Sequence, residues 1–118
     1  MDNVVRPSRT EIIGALNDRC RQGLDRRARI VMTRACLATF AEAAVATVVA
    51  QIEIMAALRA HTFDSEDRER HRGEFELRGH TVYFAIDYYD LALEYGSEDP
   101  ADAAVTRRVL TIMVREDL

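Results

Sequence analysis

Lysine is missing from this chain: all sixteen basic side chains are arginine. A GC-rich coding sequence accounts for that as well as selection does, so this absence excludes nothing. Cysteine is scarce. Cys20 and Cys36 are too few for a disulfide framework, and as small apolar side chains they suit a reducing cytoplasm. The chain begins MDNVVRPSR without an apolar h-region, so no secretory signal is expected. A long hydrophobic run is also lacking. The richest stretch, residues 40–58, is broken by Glu42, Gln51 and Glu53, which argues against a membrane span. No G-x-S-x-G, P-loop, H-E-x-x-H or C-x-x-C pattern occurs. His61, His71 and His80 fall in or beside a charged loop and a turn, at spacings that fit no metal-ligand motif. The reading therefore expects no catalytic residues, no cofactor and no metal: this is not an enzyme.

What remains is 118 residues, 48% of them hydrophobic, the composition of one folded domain spanning residues 1–118, with 1–7 as a flexible N-terminus. Ser8-Arg9-Thr10-Glu11 fits a capping box opening a helix on Ile12, Ile13, Leu16 and Cys20, with Gly23 as its stop. ARIVMT reads as a strand at about 29–33. From Phe40 to Ala60 neither Pro nor Gly interrupts, and a second capping box, Thr39 to Glu42, starts a helix apolar nearly all round. Such a helix is covered on more than one side. GEFELRGHTVYFAID alternates as a hairpin turning near Gly79, and alternation puts Asp87 and Tyr89 on one side, Tyr88 and Asp90 on the other. Asp99-Pro100 then caps a last helix, roughly 100–115, whose apolar face is Val105, Val109, Ile112 and Met113. The sum is an α+β domain: a short, mainly antiparallel sheet of about three strands packed with about three helices.

Charge is unevenly placed. Residues 1–40 hold eight Arg against four acids, and residues 41–118 hold eight Arg against sixteen, so +4 and −8 sum to the net −4. Residues 86–104 contain Asp87, Asp90, Glu94, Glu98, Asp99 and Asp102 with no basic side chain, interleaved with Tyr88, Tyr89 and Tyr95. Successive carboxylates of this kind resemble a phosphate backbone and would steer a basic partner, while exposed tyrosines supply interface area. The candidate partner-binding set is Asp87, Tyr89, Asp90, Glu94, Tyr95, Glu98, Asp99 and Asp102. Two alternatives stand beside it. Arg19, Arg21, Arg26, Arg27 and Arg29 form a basic segment able to meet protein or DNA, although net acidity argues against direct nucleic-acid binding. Asp87 and Asp90, with Glu94 near, are a carboxylate set for Mg²⁺.

ALNDRCRQ, RIVMTRAC and AIDYYDLALEYGSEDPADAAVTRRVLTIM together resemble a family of small bacterial proteins of unassigned biochemistry, carried largely on plasmids and prophage-like elements. The chain departs from that pattern at Ala85, where the family has lysine, and in the stretch from Asp64 to Arg68. Its stretch from His71 to Phe75 also differs from the family's Gly-Glu-His-Asp-Phe. By setting, size and acidity the chain is also similar to small anti-CRISPR proteins against type I systems, I-C among them. That resemblance implies a monomeric cytoplasmic inhibitor. Its partner would be an effector-complex subunit with a basic DNA-binding surface, and binding would exclude target DNA.

Overall fold

Four strands order this fold. The computed structural model describes residues 6–41 and 44–118. Strands β1 (Arg29–Met32), β2 (Arg72–Leu77), β3 (His80–Tyr89) and β4 (Arg107–Met113) form one sheet in the order β1-β4-β3-β2. β2–β3 and β3–β4 are antiparallel, and β1 pairs with β4 in parallel, so the sheet is mainly antiparallel with one strand more than expected. The β2–β3 turn needs positive φ at both central residues, and Arg78 (52°) and Gly79 (79°) supply it. That geometry matches the twist of the flanking strands. Inward positions Val82, Phe84 and Ile86 of β3 and Leu110, Ile112 and Val114 on and just after β4 are buried, and helices cover that face.

Helix α1 (Arg9–Arg21) starts as predicted. Ser8 Oγ accepts from the Glu11 N–H at 3.2 Å, and Glu11 reaches back to the Ser8 N–H. Gly23, at φ 77°, follows its last turn. Its buried face differs from the expected one: Ile13, Asn17 and Cys20 point inward while Ile12 is exposed. Gly14 lies where an added Cβ would sit 2.0 Å from the Arg68 carbonyl oxygen, so backbone meets backbone there.

The expected long helix is one helix, and a short one not expected from the sequence precedes it. Thr33 caps α2 (Arg34–Thr39) through its hydroxyl, which accepts from the Cys36 N–H at 3.1 Å, and α3 (Ala44–Ala60) follows. Thr39, the expected cap, is the last residue of α2, its hydroxyl donating to the Ala35 carbonyl at 2.9 Å; Glu42 of that capping box lies outside the described residues, as do residues 1–5 of the expected flexible terminus. α3 buries Ala50, Ile54 and Leu58, four residues apart, and leaves Val48, Val49 and Ile52 exposed, so it is covered on one side only. Among the described residues no helix is long and apolar enough to cross a membrane.

The helix expected at 100–115 is absent. Residues 107–113 are β4, beside β3 at the middle of the sheet. Val109, Ile112 and Met113 match a helical stripe, yet Arg108, Leu110, Ile112 and Val114 match a two-residue period equally well. Ladder partners on both sides, together with the β-branched residues, decide for the strand. Asp99 and Asp102 still cap, but they cap turns: Asp99 Oδ1 accepts from the Ala101 N–H at 3.2 Å and Asp102 Oδ1 from the Ala104 N–H at 2.9 Å.

Candidate functional site

The face of the sheet away from the helices receives Asp87 and Tyr89, while Tyr88 turns inward, as alternation requires. After β3 the chain doubles back, with Tyr89 bridged to Gly96 and the Asp90 N–H donating to the Tyr95 carbonyl at 2.8 Å. Asp90 is used up within that turn, its Oδ1 accepting from the Glu94 N–H at 2.9 Å. Glu94 and Tyr95 stand at the tip, and Tyr95 is 73% exposed. Asp99 is neutralised from the far end of the chain: Arg9 Nη2 donates to its Oδ1 at 2.7 Å. Arg9 holds the Asp99 carboxyl below its ordinary pKa.

The predicted acidic set is therefore divided. Asp90, Asp99 and Asp102 accept hydrogen bonds within turns, and Asp99 is also paired with Arg9, whereas Asp87, Glu94 and Glu98 are exposed and, among the described residues, in no ion pair. On the sheet face Arg29 shares a row with Asp87, with Val109 of β4 between them. Two strand spacings, about 10 Å, separate their backbones, and among the described residues the two form no ion pair. Asp87 and Asp90 do not converge, since one faces out of the sheet and the other closes a turn. Among the described residues no group of three metal-capable side chains occurs.

Sequence reasoning missed a buried polar network on the other face. Arg108 is 1% exposed, and its Nε donates to Asn17 Oδ1 at 2.8 Å. Its Nη2 donates to the Pro100 carbonyl at 2.7 Å, and its guanidinium lies 5.0 Å from the Tyr88 ring centroid. Asn17 Nδ2 donates to Tyr88 Oη at 2.8 Å and to the Glu69 carbonyl at 2.9 Å. Tyr88 Oη in turn donates to Glu69 Oε2 at 2.8 Å. His71 Nδ1 comes within 3.1 Å of that carboxylate, out of line for a hydrogen bond. Burial pushes the Tyr88 pKa up to about 12; the Asn17 bond opposes the rise and Glu69 adds to it. Burial pushes Arg108 down, with Tyr88, Cys20, Asp25 and Glu69 acting against it.

A second cluster adjoins the first. Asp18 accepts two bonds from Arg70, each at 2.9 Å, and one from Arg21 at 3.0 Å. Arg21 Nε donates to the Leu58 carbonyl near the end of α3 at 2.9 Å. The stretches that read as family signatures thus meet in space: Asn17, Asp18 and Arg21 from α1, Tyr88 from β3 and Arg108 from β4. A signal was present in each case, a polar residue at an inward position of an otherwise apolar period. No curated protein matches the chain, and no solved structure does. A family model described as "Protein of unknown function (DUF3768)" matches residues 32–117, and the chain belongs to that family.

Proposed function

We propose that this chain is a non-enzymatic inhibitor that binds the DNA-recognising part of a type I CRISPR effector complex and keeps target DNA out. The observation that supports it is the set of exposed carboxylates Asp87, Glu94 and Glu98, in no ion pair among the described residues, with exposed Tyr95 beside Glu94 in the chain. A cationic groove would be drawn to such a surface, and the tyrosine would anchor it. Asp90, Asp99 and Asp102 drop out of the contact set because turns and Arg9 hold them. The test is a triple reversal, Asp87→Arg, Glu94→Arg and Glu98→Arg, at side chains that make no hydrogen bond among the described residues. Purified effector complex should lose DNA binding when wild-type protein is added and keep it with the variant, whose melting temperature should be unchanged. Equal inhibition by a folded variant would refute the proposal.

A second reading uses the opposite charge: an accessory module that meets protein or DNA through the 19–29 region. It is favoured by Arg19, Arg26 and Arg27 lining one cleft together with Arg108. A gel shift with the purified chain separates the two, since the inhibitor should shift no DNA.

A further inference from the structure

Between the α1–β1 connection, residues 22–28, and the start of β4 lies a cleft of about 330 Å³. Four arginines, Arg19, Arg26, Arg27 and Arg108, are among its lining residues, against one acidic residue, Asp25. Among the described residues none of the four is in an ion pair. Resting on the second reading above, we propose that this cleft binds the phosphate group of a small phosphorylated molecule.

Arg108 carries the argument. A buried cation is ordinarily matched by a carboxylate, because taking it out of water is costly. Both hydrogen bonds of this one go to neutral acceptors, the Asn17 side-chain oxygen and the Pro100 carbonyl. Its guanidinium is held in place by those bonds and by the Tyr88 ring, so a ligand would not have to order it.

Two of the remaining arginines are tethered without being used up. Arg19 Nη2 donates to the Leu24 carbonyl at 3.2 Å, and Arg27 Nη1 reaches the Ala103 carbonyl at 3.5 Å. A guanidinium has five N–H donors, so both keep several free. Asp25 shapes the loop, its Oδ1 accepting from the Arg27 N–H at 3.0 Å, and its single negative charge leaves the lining net positive. Several forked donors lining one cleft suit the many acceptor oxygens of a phosphate better than a planar carboxylate. Leu16 and Leu24 line the same cleft and give an apolar wall for the rest of the ligand. The volume is at the small end for ligand pockets, which fits a mononucleotide or sugar phosphate.

Amide-resolved NMR titration of the full chain with inorganic phosphate and with uridine monophosphate tests this. Saturable shifts at residues 24–27 and 106–108 are expected, with phosphate alone giving the weaker binding. R26Q/R27Q alters two exposed side chains and should keep the fold while weakening affinity about tenfold or more. Three results would overturn the inference: no saturable shift up to about 10 mM of either probe, shifts located elsewhere, or unchanged affinity in the folded variant. A short DNA duplex is the third probe. Shifts in 19–29 with DNA alone would overturn the small-phosphate inference and leave the second reading intact, whereas silence with all three would remove both.

Discussion

Asn17→Ala removes the centre of the buried network. Asn17 is 0% exposed and joins three groups: the Arg108 guanidinium, the Tyr88 hydroxyl and the Glu69 carbonyl. The alanine leaves the buried Arg108 Nε–H and the part-buried Glu69 carbonyl without the partner each has in Asn17. An unsatisfied buried neutral group costs about 1–3 kcal/mol and a charged one more, so a loss of about 3–5 kcal/mol is expected. That is a large share of the roughly 5–15 kcal/mol by which domains are stable. For a chain of this length it corresponds to a fall in Tm of roughly 10–20 °C. Urea unfolding followed by far-UV circular dichroism measures it, with the midpoint moving and the slope unchanged. Tyr88→Phe removes only the hydroxyl and should cost less. A loss below about 1 kcal/mol for Asn17→Ala would refute the reasoning, because it would mean the Arg108 charge is satisfied without this side chain.

Gly14→Ala would gain about 1 kcal/mol on helix propensity alone; it should instead destabilise, because its Cβ would meet the Arg68 carbonyl at 2.0 Å. A raised Tm would contradict that packing. His61 is packed against Phe63 and Phe84, and burial, aided by Arg21, lowers its pKa below the ordinary 6.5. A depressed histidine stabilises the fold fully above pH 6.5 and less as the pH falls through its folded value. Stability should therefore decline on acidification from about pH 7 to 5, and His61→Gln should flatten that slope; an identical slope in the variant would refute the assignment. On α3, Ile54→Ala should cost about 2–5 kcal/mol. Ile52→Ala, at a residue 63% exposed, should cost little, and equal losses would contradict the one-sided packing of the helix.

The parts of the fold legible in the sequence are those set by near neighbours. The Ser8–Glu11 capping box, the Gly23 stop and the Arg78-Gly79 turn each involve residues within a few positions, and the alternation of β3 is uninterrupted. β4 was read as a helix because Arg108 occupies an inward position and breaks the apolar count of the strand pattern, leaving the helical spacing of Val109, Ile112 and Met113 to dominate. Asn17 hid a core position in the same way. α3 shows the converse, since apolar composition all round does not say which faces find a neighbour. In the acidic stretch, Asp87, Glu94 and Glu98 are as free as the local sequence suggested. Asp99 is not, because Arg9 arrives from ninety residues away.

The most direct test of the inhibitor proposal is the salt dependence of its binding. Affinity for a purified type I effector complex, measured by calorimetry across rising salt, should fall steadily for the wild-type chain. The Asp87→Arg, Glu94→Arg, Glu98→Arg variant should show no measurable binding. Binding that is insensitive to salt and survives the reversal would contradict the account.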